Sequence, residues 1–197
     1  MKIYSTREGW LNAAVAELRP LFDIWSKPVP KNVRVACGFP SNARRSGAVG
    51  ECWADTASAD ETFEIMISPV LDDPSRVFDV LVHELCHSLP GAMNHGVAFA
   101  AAASSMLLIP SGAGKSQWGA TVAGPVFPDT YGAIITGLGE YPHAQLSLTH
   151  RKKQATRLLK ASCPSCGYTV RLTAKWAKVG LPTCCCGDNF NLDNEGE

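Results

Sequence analysis

His83-Glu84-Leu85-Cys86-His87 lies within a run, Asp73 to Leu89, that reads as one amphipathic helix. Asp73 stands where an N-cap belongs, Pro74 fits the first helical position, and Pro90-Gly91 stops the chain after Leu89. On a 3.6-residue period Phe78, Leu81, Val82, Leu85 and Leu89 form an apolar stripe, and His83 and His87 fall roughly opposite it. Residues four apart stand one above the other on a helix. Both imidazoles can therefore point at one Zn²⁺, with Glu84 placed to take a proton from a water. The bland alternative is a buried helix whose two histidines are satisfied by backbone carbonyls.

A catalytic zinc site needs a third protein ligand and an open fourth position. His95 is the one His between His87 and His143 and supplies the third. The chain turns at Gly91, and Asn94 reads as the cap of a second helix, about Asn94 to Leu108, with His95 in its first turn. The metzincin spacing does not fit: it puts five residues between the second and third His, and this chain has seven. The expected chemistry is hydrolysis, with zinc on His83, His87 and His95 acidifying a water and Glu84 acting as general base. Asp79, one turn before His83, is read either as a partner for that ring or as a solvated surface acid.

These residues resemble the SprT-like zinc metalloproteases, the family that includes the eukaryotic Spartan proteases and many bacterial and phage members. The resemblance rests on His83-Glu84-Leu85-Cys86-His87 and His95-Gly96-Val97-Ala98-Phe99. It extends to Gly50-Glu51-Cys52-Trp53, Glu64-Ile65-Met66-Ile67-Ser68-Pro69 and Gly139-Glu140-Tyr141-Pro142-His143, and covers about residues 45 to 190. It implies an α+β fold, a zincin-like metalloprotease domain followed by a small β-rich zinc ribbon. It also implies zinc-dependent peptide-bond hydrolysis, often directed to proteins on DNA. Phe63, Ile65 and Ile67 alternate as a strand should, and in zincin folds such a strand lies beside the active-site helix with an edge able to hold an extended peptide. Tyr141 and His143 become candidates for stabilising the transition-state oxyanion, with plain packing the other reading of Tyr141.

Cys163-Pro164-Ser165-Cys166 precedes Cys184-Cys185-Cys186 by 17 residues, with a strand-like Tyr168 to Thr173 between them. That is zinc-ribbon spacing, and four thiolates on one ion let about 30 residues fold without an adequate apolar core. Adjacent thiolates chelate one ion awkwardly, so the expected ligands are Cys163, Cys166, Cys184 and Cys186, with Cys185 spare. The chain should therefore hold two Zn²⁺, one catalytic and one structural.

The 197 residues accommodate a catalytic domain over 1–149, a basic connector over 150–160 and the ribbon over 161–193. Cys37, Cys52 and Cys86 lie in apolar or mixed surroundings and read as reduced, packed thiols. The first residues lack the apolar run of a signal peptide, and Val97 to Ile109 is too short to span a bilayer. A cytoplasmic protein without membrane contact is expected. Residues 1–140 carry ten Lys/Arg against fourteen Asp/Glu, whereas residues 141–187 carry eight Lys/Arg and no acid. Arg151, Lys152, Lys153, Arg157 and Lys160, then Arg171, Lys175 and Lys178 beside Trp176, suit a nucleic-acid backbone with an aromatic for stacking. DNA, single-stranded or duplex, is the expected partner beside a protein substrate. The bland reading is a solvated linker and a ribbon that only stabilises the fold.

Elsewhere, Glu8 to Phe22 reads as an amphipathic helix, Val33 to Cys37 as a short strand, and Gly47 to Trp53 with Thr62 to Ser68 as a strand pair. Pro110 to Gly139, dense in Gly and Pro, is expected to form loops with one short helix. Two function classes result: a zinc endopeptidase acting on DNA-associated proteins, or a nucleic-acid-associated binding protein with structural zinc sites and little turnover. Glu84 separates them, because a structural ion needs no general base.

Overall fold

A computed structural model describes residues 3–147 and 158–193. The chain is a mixed α+β protein that divides into two compact units, Met1–Leu148 and Thr149–Glu197.

The first unit is organised around helix α3, Pro74–His87. Its start follows the sequence: the Asp73 side chain accepts the Arg76 amide at 2.7 Å, and Pro74 opens the first turn. Such a cap stabilises a helix by about 1 kcal/mol. The apolar stripe is fully used. Phe78, Leu81, Val82 and Leu85 are completely buried and Leu89 nearly so, each worth about 1.5–3 kcal/mol of transfer free energy. Helix α1, Arg7–Trp25, buries Trp10, Leu11, Val15, Leu18 and Phe22 against the same core.

A three-stranded sheet packs on α3. Strands β1 (Val33–Cys37), β2 (Gly50–Trp53) and β3 (Phe63–Ile67) lie in the order β1-β3-β2, with β3 parallel to β1 and antiparallel to β2. A short helix α2, Ala43–Ser46, precedes β2. The order corrects one expectation. β3 is paired on both sides and offers no free edge; the strand that flanks α3 with an open edge is β2.

The second predicted helix is shorter than expected. Helix α4 spans Val97–Ser105 with Gly96 at its cap position. The Asn94 side chain accepts the amide only two residues on, that of Gly96, at 3.2 Å. This local turn keeps His95 outside the helix. The Gly/Pro-rich segment is more ordered than its composition suggests. It holds a hairpin of β4 (Leu108–Pro110) and β5 (Thr121–Ala123), then a 12-residue helix α5, Phe127–Leu138.

The second unit is a three-stranded sheet in the order β7-β6-β8, built from β6 (Leu159–Ser162), β7 (Thr169–Leu172) and β8 (Asn191–Leu192), plus helix α6, Ala174–Val179. Lys160, read from sequence as the end of the connector, is a β6 residue. Among the described residues, the unit's buried core is small: Ala161, Cys163, Cys184 and Phe190, with Val170, Leu172 and Leu181 packed against it. No described helix is long and apolar enough to cross a membrane.

Candidate metal centres

The α3 helix, the turn after it and the segment before α4 bring three imidazoles to one point. His87 Nε2 and His95 Nε2 are 3.1 Å apart, and His95 Nε2 and His83 Nε2 are 3.3 Å apart. Ligands at about 2.0–2.1 Å from a tetrahedral ion sit about 3.3 Å from one another, so the spacing fits an ion of zinc's size.

The outer nitrogens fix which face of each ring is free. His87 Nδ1 is 2.8 Å from the carbonyl oxygen of Ala92. A carbonyl can only accept, so Nδ1 carries the proton and the Nε2 lone pair faces the other rings. His83 Nδ1 lies 2.8 Å from Thr121 Oγ1 and takes the same tautomer when it donates there. Lone pairs facing each other at this distance repel unless a cation lies among them, so the donor set suits a metal. Burial, then the neighbouring imidazoles, pushes His83 down to about 3. Burial also pushes His87 down to about 4 against the opposing pull of the Ala92 carbonyl, and it lowers His95. All three are neutral at pH 7, the form that ligates. Phe99 forms the floor, its ring 4.7, 4.4 and 4.9 Å from those of His83, His87 and His95.

These groups line a cleft of about 520 Å³ between α3, β2 and the hairpin loop, with Gly50, Glu51, Cys52, Arg76 and Met93 also in its walls. Glu84 lies in the wall, 5% exposed. Burial and then the charge of Glu51 push it up to about 8. Gly50 makes room for it: a Cβ there would overlap the Glu84 carboxylate and stand 2.8 Å from Val80 Cγ1.

Other sequence candidates fall elsewhere. Tyr141 is buried in the core, its ring edge-on to Trp10 at 5.2 Å and beneath the Arg7 guanidinium at 5.3 Å. His143 is exposed. Neither lines the cleft, because Arg7 ties this segment down through the carbonyls of Pro142 at 2.9 Å and Ala144 at 2.8 Å. Asp79 is neither a His83 partner nor a surface acid. It is 6% exposed and paired with Arg76 at 2.6 Å. Thr121 and the Ala92 carbonyl shape the site without having been singled out at all, while Gly50 and Phe99 entered only through the resemblance, with no role given to them. Only Gly50, through a close approach that permits no side chain, has a residue type that hints at its role.

In the second unit Cys163, Cys166, Cys184 and Cys186 present four sulfurs to one point. The separations are 3.4 Å for Cys163–Cys186, 3.4 Å for Cys166–Cys184 and 3.8 Å for Cys166–Cys186. An ion with bonds of about 2.3 Å to sulfur would set tetrahedral neighbours about 3.8 Å apart, while a disulfide needs about 2.05 Å. Each knuckle closes on its own backbone: Gly167 donates to Cys163 O at 3.0 Å with φ 72°, and Gly187 to Cys184 O at 2.9 Å. Cys185 is exposed, 4.0 Å from Cys184 Sγ and outside the cluster. The amides of Cys166 and Ser165 hold the Cys163 thiol below its ordinary range, favouring the thiolate a metal takes.

Of the basic candidates, Arg151, Lys152, Lys153 and Arg157 lie outside the described residues. Lys160 pairs with Asp193 at 2.6 Å and stands opposite Arg171 across β6 and β7. Arg171, Lys175 and Lys178 are exposed, and Lys175 Nζ lies 5.0 Å above the ring of Trp176, which is 57% exposed. No family model, curated protein or solved structure matches this chain.

Proposed function

We propose that the protein is a zinc-dependent endopeptidase of SprT-like, zincin-type architecture, with a structural zinc in the C-terminal ribbon. The observation that carries it is one helix placing His83, His87 and Glu84 on a single cleft, with His95 converging from the next segment. His83, His87 and His95 would hold the catalytic zinc, which supplies a Lewis acid that lowers the pKa of water and polarises a carbonyl. Glu84 takes the proton from the attacking water and returns it to the leaving amine, and its raised pKa, close to neutrality, suits a group that must do both. Its placement beside Gly50 supports this role, because a purely structural ion needs no carboxylate held free in the cleft wall. The open edge of β2 offers backbone groups to an extended peptide alongside the histidines.

The ribbon's exposed Trp176 with Lys175, Lys178 and Arg171 supports contact with DNA, where rings stack on bases and cations meet phosphates. Eight cysteines without a disulfide suit a reducing cytoplasm.

The test compares the zinc-loaded full chain with Glu84→Gln on casein and on itself, with and without single-stranded DNA. Equal zinc content with cleavage only by the wild type is expected. Equal cleavage by both, or none by wild type under any DNA condition, overturns the assignment.

A further inference from the structure

We infer that Thr121 of β5 sets the ring of His83 on α3, which makes it a positioning residue for the histidine metal centre. The inference rests on the reading of that centre given above and adds what orients its first ligand.

His83 Nδ1 stands 2.8 Å from Thr121 Oγ1, where β5 packs on α3. Thr121 is 7% exposed, so the contact does not compete freely with water.

Thr121 accepts the His83 Nδ1 proton, fixing the tautomer and the plane in which Nε2 meets His95 Nε2. His87 receives the same service from a main-chain carbonyl and needs no particular residue type. His83 depends on a hydroxyl and can lose it by mutation.

The experiment uses the full chain titrated with Co²⁺ against a chelator. The weak visible bands of a histidine site are followed separately from the intense thiolate bands of the cysteine site. Thr121→Val, equal in shape but lacking the hydroxyl, is expected to weaken the histidine site on the order of 10- to 100-fold, while Thr121→Ser stays within about threefold of wild type. Wild-type affinity in Thr121→Val overturns the proposal, as does equal loss in Thr121→Val and Thr121→Ser. Because the readout is metal affinity, a chain that binds normally but never cleaves peptide would sink the hydrolase reading and leave the role of Thr121 standing.

Discussion

The Cα of Gly50 and the carboxylate of Glu84 occupy adjoining space with no room for a methyl group between them. Strand β2 and helix α3 are thus pressed together at the one position where the proposed base sits. Val80 Cγ1 would stand 2.8 Å from the same added Cβ, so a methyl group here meets both side chains of α3. Gly50→Ala should displace Glu84 while leaving the histidines in place. Peptidase activity is expected to fall on the order of 100-fold, the low end of what a general base contributes, with zinc content unchanged. Steady-state kinetics with elemental analysis on the same sample checks this; full activity in Gly50→Ala would show that Glu84 is not held as described.

The metal-stripped chain should show a stability optimum near pH 6.5. Glu84, raised from 4.5 to about 8, stabilises fully below about 4.5, and that contribution is lost as pH rises through about 8. His83 and His87, lowered from 6.5 to about 3 and about 4, work in the opposite sense. Their contribution is present above about 6.5 and is lost as pH falls through those values. Glu84→Gln removes the Glu84 contribution alone. Urea midpoints from pH 4 to 9 after chelation should give wild-type and Glu84→Gln curves that diverge progressively between about pH 4.5 and 8. Parallel curves there would contradict the buried setting of this carboxylate.

The ribbon assigns unequal roles to two adjacent thiols. Cys186 Sγ lies 3.4 Å from Cys163 Sγ, whereas Cys185 faces solvent. Cys186→Ser should bind one fewer ion per chain and lose the ribbon's ordered amides in NMR spectra, since the small core cannot fold it unaided. Cys185→Ser should bind as wild type does. The reverse pattern would exchange the two assignments.

Much of this was legible before any coordinates. Helix α3 combined an Asp-Pro start with a strong 3.6-residue apolar period, and its histidines were therefore placed on the correct face. The cysteine spacing likewise picked out the four clustered sulfurs. Helix α5 was not foreseen at its full length, because Pro128, Gly132 and Gly137 argue locally against the helix that core packing of Phe127, Tyr131 and Leu138 enforces. Strands β4 and β5, at three residues each, are too short to show a period. Thr121 was invisible for that reason, since its meaning comes from a partner 38 positions away. Tyr141 stayed open between chemistry and packing for the same reason. Only Arg7, binding the carbonyl of Pro142 from 135 positions away, shows that the segment is a core anchor.

The most direct test of the central claim is a metal count on the full chain and on His95→Ala after dialysis against a weak chelator. The account predicts two zinc ions per wild-type chain and one in the variant, the survivor being the ribbon's. Two ions retained by His95→Ala would contradict it, because His83 and His87 would then be holding the metal without the third imidazole.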